Sequence, residues 1–241
     1  MKIDSVDICV LTYNRLEYLR RCIWSIIMTT KIPFRLYVLS DNSTDGTDEW
    51  LREMKKHSKL NGVIYNEKNL GTVKSFNRVI TSTDSEWFIA VCDDMYFYRG
   101  WDEVAIKIAE GFDDCGMVSF WDFPIEPSFV ERKKVNDHAY IRQKTGLACT
   151  LMYRPLFDMV GGYELPEGFK MGYFAKGFCN KATELGTTGK IERWKQYITI
   201  KEWAVQMDRT EAYAQEHLYE QYNDIRDKEK LRHKLYKPKE E

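Results

Sequence analysis

The sequence predicts an α/β fold: a mostly parallel sheet flanked by helices, with a small antiparallel subregion in the second half and a C-terminal helix. Three observations predict it. From Val6 to Ala109 short apolar runs alternate with stretches of helical periodicity, and such βα alternation implies a parallel sheet covered on both faces. Three of the apolar runs end in polar clusters, Thr12-Tyr13-Asn14, Ser40-Asp41-Asn42 and Cys92-Asp93-Asp94. In open sheets of this kind ligands bind beyond the carboxyl ends of the strands, so the three clusters fall on one functional edge. Past residue 110 the alternation gives way to runs separated by turn signals such as Asn136-Asp137, which read as antiparallel pairing.

Taken in order, Val6 to Leu11 reads as the first strand. Leu16 to Met28 follows as a helix, with Leu16, Leu19, Ile23, Ile26 and Ile27 on one face. Leu36 to Leu39 is a second strand, ended by the turn-rich segment Asp41 to Gly46. A helix starts at Thr47, which can cap it, with Trp50, Leu51 and Met54 facing inward. Gly62 to Tyr65 is a strand, Thr72 to Ile80 a helix, Trp87 to Val91 a strand and Trp101 to Ala109 a helix. The second half holds a strand at Met117 to Trp121, a hairpin over Val130 to Ile141 and a strand at Leu147 to Tyr153. A short helix after Pro155, a Gly161-Gly162 turn, a helix over Lys176 to Leu185 and a strand at Gln196 to Ile200 complete it. The tail from Thr210 to Leu235 is strongly charged and reads as an exposed or partner-bound helix. With no repeat or low-complexity linker, the expected organisation is one domain over residues 1–209, in halves 1–110 and 111–209, followed by a charged helical tail, 210–241.

Composition bounds the function. At 241 residues the chain can bury a real core. A net charge of −1 gives no global signature of a nucleic-acid binder. Local basic stretches, Arg132 to Lys144 and Lys228 to Lys239, hint at an anionic ligand, although a charge run is ordinarily a solvated face. Seven Trp and fifteen Tyr suit a cleft that grips a flat or ringed ligand, or simply ordinary packing. The six cysteines form no CxxC and no tight spacing, so no disulfide framework or zinc site is readable and a reducing compartment is expected. The N-terminal stretch lacks the pattern of a signal peptide, and no apolar run approaches the roughly 20 residues of a membrane helix. A cytoplasmic location is the expectation.

The chemistry gathers where the fourth apolar run meets Asp93-Asp94. Adjacent carboxylates repel, and past the end of a strand the pleat no longer separates them, so both can turn toward a shared cation. Hard oxygen ligands suit Mg or Mn. A surface or helix-capping pair of aspartates is the ordinary alternative. Asp41 sits in "LSDNSTDGT", a sharp loop rich in acceptors for a base or ribose; the same loop also reads as a turn and helix cap built by Asp45-Gly46-Thr47.

Five segments, "ICVLTYNRLEYLRRCIWSI", "LSDNSTDGT", "NEKNLGTVKSFNRVI", "CDDMYFYRGW" and "GGYE", resemble in order and spacing the family-two glycosyltransferases of the GT-A (Rossmann-like) fold. The resemblance covers Val6 to Trp101 and, more loosely, Gly146 to Gly186. It implies transfer of a sugar from a nucleotide-diphospho-sugar, UDP-linked in the common case, to an acceptor hydroxyl with a divalent metal, Mn or Mg. By the same resemblance Thr12 and Tyr13, with Asn14 beside them, line the base pocket, and Asp41 accepts from the base, typically uracil N3–H. Lys74 lies in the segment that often places a basic residue near the nucleotide, and Asn77 is a helix-face residue that organises the site. Asp93 faces ribose or sugar hydroxyls, and Asp94, the last residue of the family's DXD motif, holds the metal. Cys92 stands where the motif's first Asp is usual, a departure expected to weaken metal binding without removing it. Trp101 resembles the "GW" that opens the next helix, in a packing role.

One departure concerns the catalytic base. Inverting members carry an acidic pair after the GG turn, whereas here nothing from Gly168 to Thr183 is acidic. Three explanations stand open. A shifted acid, Glu164, Glu167 or Asp122, takes the acceptor's proton; or the enzyme is retaining and the donor's own phosphate takes it; or the protein binds nucleotide-sugar without transferring it. Lys170 and Lys176, in place of acids, would favour an anionic acceptor or assist the diphosphate. The acceptor is a saccharide in the family's common case. A modified DNA base is an alternative prompted by Arg132 to Lys144 and the lysine-rich tail. A sugar-nucleotide pyrophosphorylase, which shares a related sheet, normally has a glycine-rich loop after the first strand, and "LTYNRLEYL" has no glycine.

Overall fold

The computed structural model describes residues 1–56, 60–120, 133–137, 139–141, 149–165, 173–199 and 204–206. Strand β1 (Val6–Thr12) is buried along its whole length, which is why, Asp7 aside, its sequence runs apolar as far as Leu11 instead of alternating: both faces are covered. Helix α1 (Leu16–Thr29) returns the chain to β2 (Phe34–Ser40), α2 (Thr47–Lys56) leads to β3 (Gly62–Tyr65), and α3 (Thr72–Thr81) to β4 (Trp87–Cys92). These four strands are parallel, in the spatial order β3-β2-β1-β4.

Alternation along β1 divides the core into two layers. Ile8 and Val10 pack on one face with Leu19, Ile23 and Ile26 of α1 and Leu51 and Met54 of α2. Cys9 and Leu11 pack on the other with Phe76, Val79 and Ile80 of α3. The helix faces read from the sequence are therefore the buried ones. Thr47 does not cap α2. Asp45 does: its Oδ1 accepts from the Thr47 amide at 3.2 Å and the Thr47 hydroxyl at 2.6 Å. A carboxylate two residues back reaches the first-turn amide that a residue inside the helix cannot.

After β4 the chain makes β5 (Met95–Phe97), which pairs antiparallel with β11 (Ala204–Gln206) in a separate two-stranded sheet. The sequence reading missed both strands, since three residues give too little alternation to read. Helix α4 (Trp101–Gly111) joins the first core layer through Ala105 and Ile108. Strand β6 (Cys115–Ser119) begins two residues before the expected Met117. Gly116 explains the shift: a Cβ there would lie 2.7 Å from the Arg193 carbonyl oxygen, so the glycine marks a close backbone approach instead of a break.

The hairpin turning at Asn136-Asp137 is present as β7 (Lys133–Lys134) and β8 (Ala139–Ile141). Strand β9 (Cys149–Tyr153) runs antiparallel between β4 and β6, and β10 (Lys195–Thr199) pairs parallel with β6 and antiparallel with β8. One nine-stranded sheet, β3-β2-β1-β4-β9-β6-β10-β8-β7, thus draws on both halves of the chain. Helices α5 (Arg154–Val160) and α6 (Tyr173–Thr187) complete the second core layer with Leu156, Phe157, Phe178 and Ala182. The expected tail helix, 210–241, lies outside the described residues, as do Arg132, His138, Arg142 and Lys144 of the basic stretch. No described helix is long and apolar enough to cross a membrane.

At the amino end of β1 a buried charge is fully engaged. The Asp7 carboxylate is inaccessible to solvent and accepts from Arg35 Nε at 2.7 Å, Arg35 Nη2 at 2.9 Å and the Ser85 amide at 2.9 Å. This network joins β1, β2 and the turn into β4 at the edge opposite the polar clusters.

Candidate active site

Backbone pairing continues one step past the strands and so fixes the site. The Asp41 amide donates to the Thr12 carbonyl at 2.9 Å, the Asp93 amide to the Leu11 carbonyl at 3.2 Å, and the Asn66 amide to the Ser40 carbonyl at 3.0 Å. Residues from the carboxyl ends of β1, β2, β3 and β4 are thereby held side by side, as the strand-end clusters predict. Asn14 and Asn42 adopt left-handed backbone, with φ of 52° and 64°, which asparagine tolerates better than most residues. Asn14 also ties two loops together: its Oδ1 accepts from the Thr44 amide at 2.7 Å, and its amide donates to Ser43 Oγ at 3.1 Å.

Asp93 and Asp94 are both buried, at 5% and 3% exposure. Asp93 Oδ2 accepts from the Thr12 hydroxyl at 2.7 Å, so Thr12 acts on Asp93 rather than opening its hydroxyl to a ligand. Burial, and then the neighbouring Asp94 charge, push the Asp93 carboxyl up to about 7. Arg15, which the sequence reading did not single out, lies against the pair: its Nη1 is 3.1 Å from Asp94 Oδ2 and 3.8 Å from Asp93 Oδ1. The one available signal was position, a cation directly after the first polar cluster. Among the described residues no three of His, Cys, Asp or Glu gather as a metal cage. Two carboxylates of hard oxygen donors fit a Mg or Mn ion that completes its shell with phosphate oxygens and water. Cys92, a soft donor, is partly exposed beside them.

Asp41 is 3% exposed and already well used. Its Oδ1 accepts from Asn66 Nδ2 at 2.7 Å and the Leu70 amide at 2.8 Å, and its Oδ2 from the Gly71 amide at 2.9 Å. It therefore locks the loop that leads into α3. Of the roughly four acceptor positions of a carboxylate, one on Oδ2 stays available to a base N–H. Asn66, also missed in the sequence, links this loop to the helix by donating to Ser75 Oγ at 3.0 Å. Tyr13 is 45% exposed at the mouth of the site, and Lys74 is exposed in the first turn of α3.

Asn77 organises the edge where the second half of the chain meets the first. Its Nδ2 donates to the Tyr163 carbonyl and its Oδ1 accepts from the Tyr163 amide, both at 2.8 Å. Gly162, at φ 79°, sits in this clamp, and a Cβ there would come to 3.1 Å from Asn77 Oδ1. Trp101 has the packing role expected of it, buried against Phe97 and Phe120. Glu164, just past the clamp, is exposed and bonded to Lys181 Nζ at 2.5 Å, which lowers its pKa. Glu167, Asp122 and Lys170 lie outside the described residues, and Lys176 is in the first turn of α6.

A family model for glycosyl transferase family 2 matches residues 7–158. Two curated proteins, each named an uncharacterized glycosyltransferase, from Rickettsia felis and Rickettsia conorii, are 25% and 24% identical over 106 residues. The matched region is 44% of this chain and only 17% of the length of those relatives. Among solved structures, the mannosyltransferase PcManGT from Pyrobaculum calidifontis, in complex with GDP-Man and Mn2+, superposes with a TM-score of 0.65 at 17% identity, covering 87% of this chain and 59% of that one. GalNAc-T7 with UDP, GalNAc and Mn2+ gives 0.64 at 13% identity, covering 81% and 42%. S. aureus TarS 1-349 with UDP-GlcNAc gives 0.61 at 18% identity, covering 87% and 59%. At these identities the structural likeness is one of fold.

Proposed function

The chain belongs to glycosyl transferase family 2, and on that premise we propose that it transfers a sugar from a nucleotide-diphospho-sugar, first among them a UDP-sugar, to an acceptor hydroxyl with the help of a divalent cation. The observation that carries this reading is the buried Asp93-Asp94 pair at the end of β4, set beside Asp41 at the end of β2. The ligands named for the structural neighbours, GDP-Man, UDP and UDP-GlcNAc, two of the three with Mn2+, support a nucleotide-sugar donor and a metal.

Each residue then has a physical task. Asp41 keeps the loop from Asn66 to Gly71 in place and offers its remaining acceptor position to the base. Tyr13 closes over the base from the exposed side. Thr12 holds Asp93 turned toward the ribose or sugar hydroxyls, and Asp94 holds the cation. When bound, that cation would stabilise the charge developing on the departing diphosphate. Of the three candidate bases, Glu164 must break its pair with Lys181 to act, and its lowered pKa makes it a weak proton acceptor. The role passes to Glu167, Asp122 or, in a retaining reaction, the donor's own phosphate.

Thermal unfolding with UDP, GDP or dTDP, each with and without Mn2+, tests the donor, and hydrolysis of the matching nucleotide-sugars tests turnover without knowledge of the acceptor. Asp94→Ala is expected to keep its fold and lose about 10²–10³ in metal-dependent hydrolysis. Near-normal hydrolysis by that variant at low metal would end the assignment.

A further inference from the structure

Two adjacent carboxylates imply a neighbouring positive charge, and the chain brings one of its own. Arg15 Nη1 approaches Asp94 Oδ2 at 3.1 Å and Asp93 Oδ1 at 3.8 Å, from a side chain that is itself only 24% exposed. One guanidinium thus faces both acids. Its charge is permanent, because arginine does not deprotonate in proteins. A cation seated on Asp94 would lie close to that charge, in surroundings where water screens poorly. Counting these three side chains, Arg15 leaves the carboxylate pair at most a single net negative charge. A divalent cation alone would turn these three side chains net positive, whereas a cation arriving with a diphosphate would not. The same guanidinium already lies over an aromatic face while it meets the acids: its Cζ is 5.9 Å from the centre of the Tyr18 ring, on the first turn of α1, a contact that does not depend on the carboxylates.

We infer that Arg15 is an internal counter-ion of the Asp93-Asp94 pair, one that occupies the cation-facing side of Asp94 in the ligand-free protein and yields it only when a nucleotide diphosphate enters together with the cation. Arg15 is on this view a positioning residue that acts through Asp94, and the inference rests on the donor chemistry proposed above. It makes cation and nucleotide binding conditional on each other, and such coupling is reciprocal. The free enzyme then does not load metal wastefully, and the site completes itself only around its donor.

The experiment titrates Mn2+ alone, then Mn2+ with UDP, into the full chain as wild type, Arg15→Gln, Arg15→Lys and the double variant Arg15→Gln/Asp94→Asn, reading free Mn2+ by electron paramagnetic resonance. Arg15→Gln is expected to bind Mn2+ alone roughly tenfold more tightly than wild type, within the usual span of coupling between sites. UDP should tighten Mn2+ binding strongly in wild type and much less in Arg15→Gln. Arg15→Lys, which keeps the charge, should stay near wild type, and the double variant should lose the gain. A residue that merely shaped the loop would not tighten cation binding when removed. If Arg15→Gln binds Mn2+ alone no better than wild type while both still bind UDP with Mn2+, the counter-ion role is refuted and the donor reading stands. If no protein in the set binds Mn2+ with UDP, nor with GDP or dTDP in its place, the donor reading falls and takes the counter-ion with it.

Discussion

Asp93→Asn reads out the electrostatics of the site with no ligand present. In the folded protein burial and the Asp94 charge raise the Asp93 carboxyl from 3.8 to about 7, against the opposing pull of the Thr12 hydroxyl and Arg15. In the unfolded chain the group returns to its ordinary value. Between those two values the folded state retains a proton that the unfolded state has released, so this group's contribution is present at low pH and is lost as pH rises through about 7. A rise of about three units at about 1.36 kcal/mol each comes to on the order of 4 kcal/mol. Part of that is already spent at pH 5, leaving a change of roughly 3 kcal/mol between pH 5 and pH 8. Asparagine has no proton to lose and still offers Thr12 an acceptor oxygen. The variant should therefore gain stability relative to wild type as pH rises. Urea unfolding of both proteins in the presence of chelator, at pH 5, 6, 7 and 8, measures it. A constant difference across that range would refute the buried, like-charged environment assigned to Asp93.

Two further predictions separate scaffold from site. Asp7→Ala leaves the Ser85 amide without its acceptor and takes one partner from Arg35, which is partly exposed and keeps Asp84, so it should cost about 1–3 kcal/mol in urea unfolding; UDP affinity in the surviving folded protein should not change. Asn77→Ala removes both hydrogen bonds to the Tyr163 backbone and should cost about 1–3 kcal/mol. Because it loosens the Gly162 turn and leaves the strand-end cluster intact, kcat for nucleotide-sugar hydrolysis should fall by more than UDP affinity does.

The strand ends were legible because a fully buried parallel strand reads as an unbroken apolar run, and the first polar residues after it mark where the sheet stops. That logic reached Thr12, Asp41, Asp93 and Asp94 without any contact being known. It did not reach their partners. Asp41 is engaged by Asn66, Leu70 and Gly71, which come from the far side of β3, and nothing in the local spacing of either segment says that they meet. Arg15 escaped for a related reason: a single arginine one residue before a helix has no periodic signature, and its significance appears only when β4 delivers two carboxylates beside it. The short β5 and β11 were hidden because three residues cannot display a period, whereas β6 starts two residues before the expected Met117 because Gly116 is a point of close backbone contact. What the sequence encodes locally is which atoms arrive at the edge of the sheet. How many of their hydrogen-bonding positions are already taken is decided by loops distant in the chain, and that occupancy is what separates a structural aspartate from one still able to hold a base or a metal.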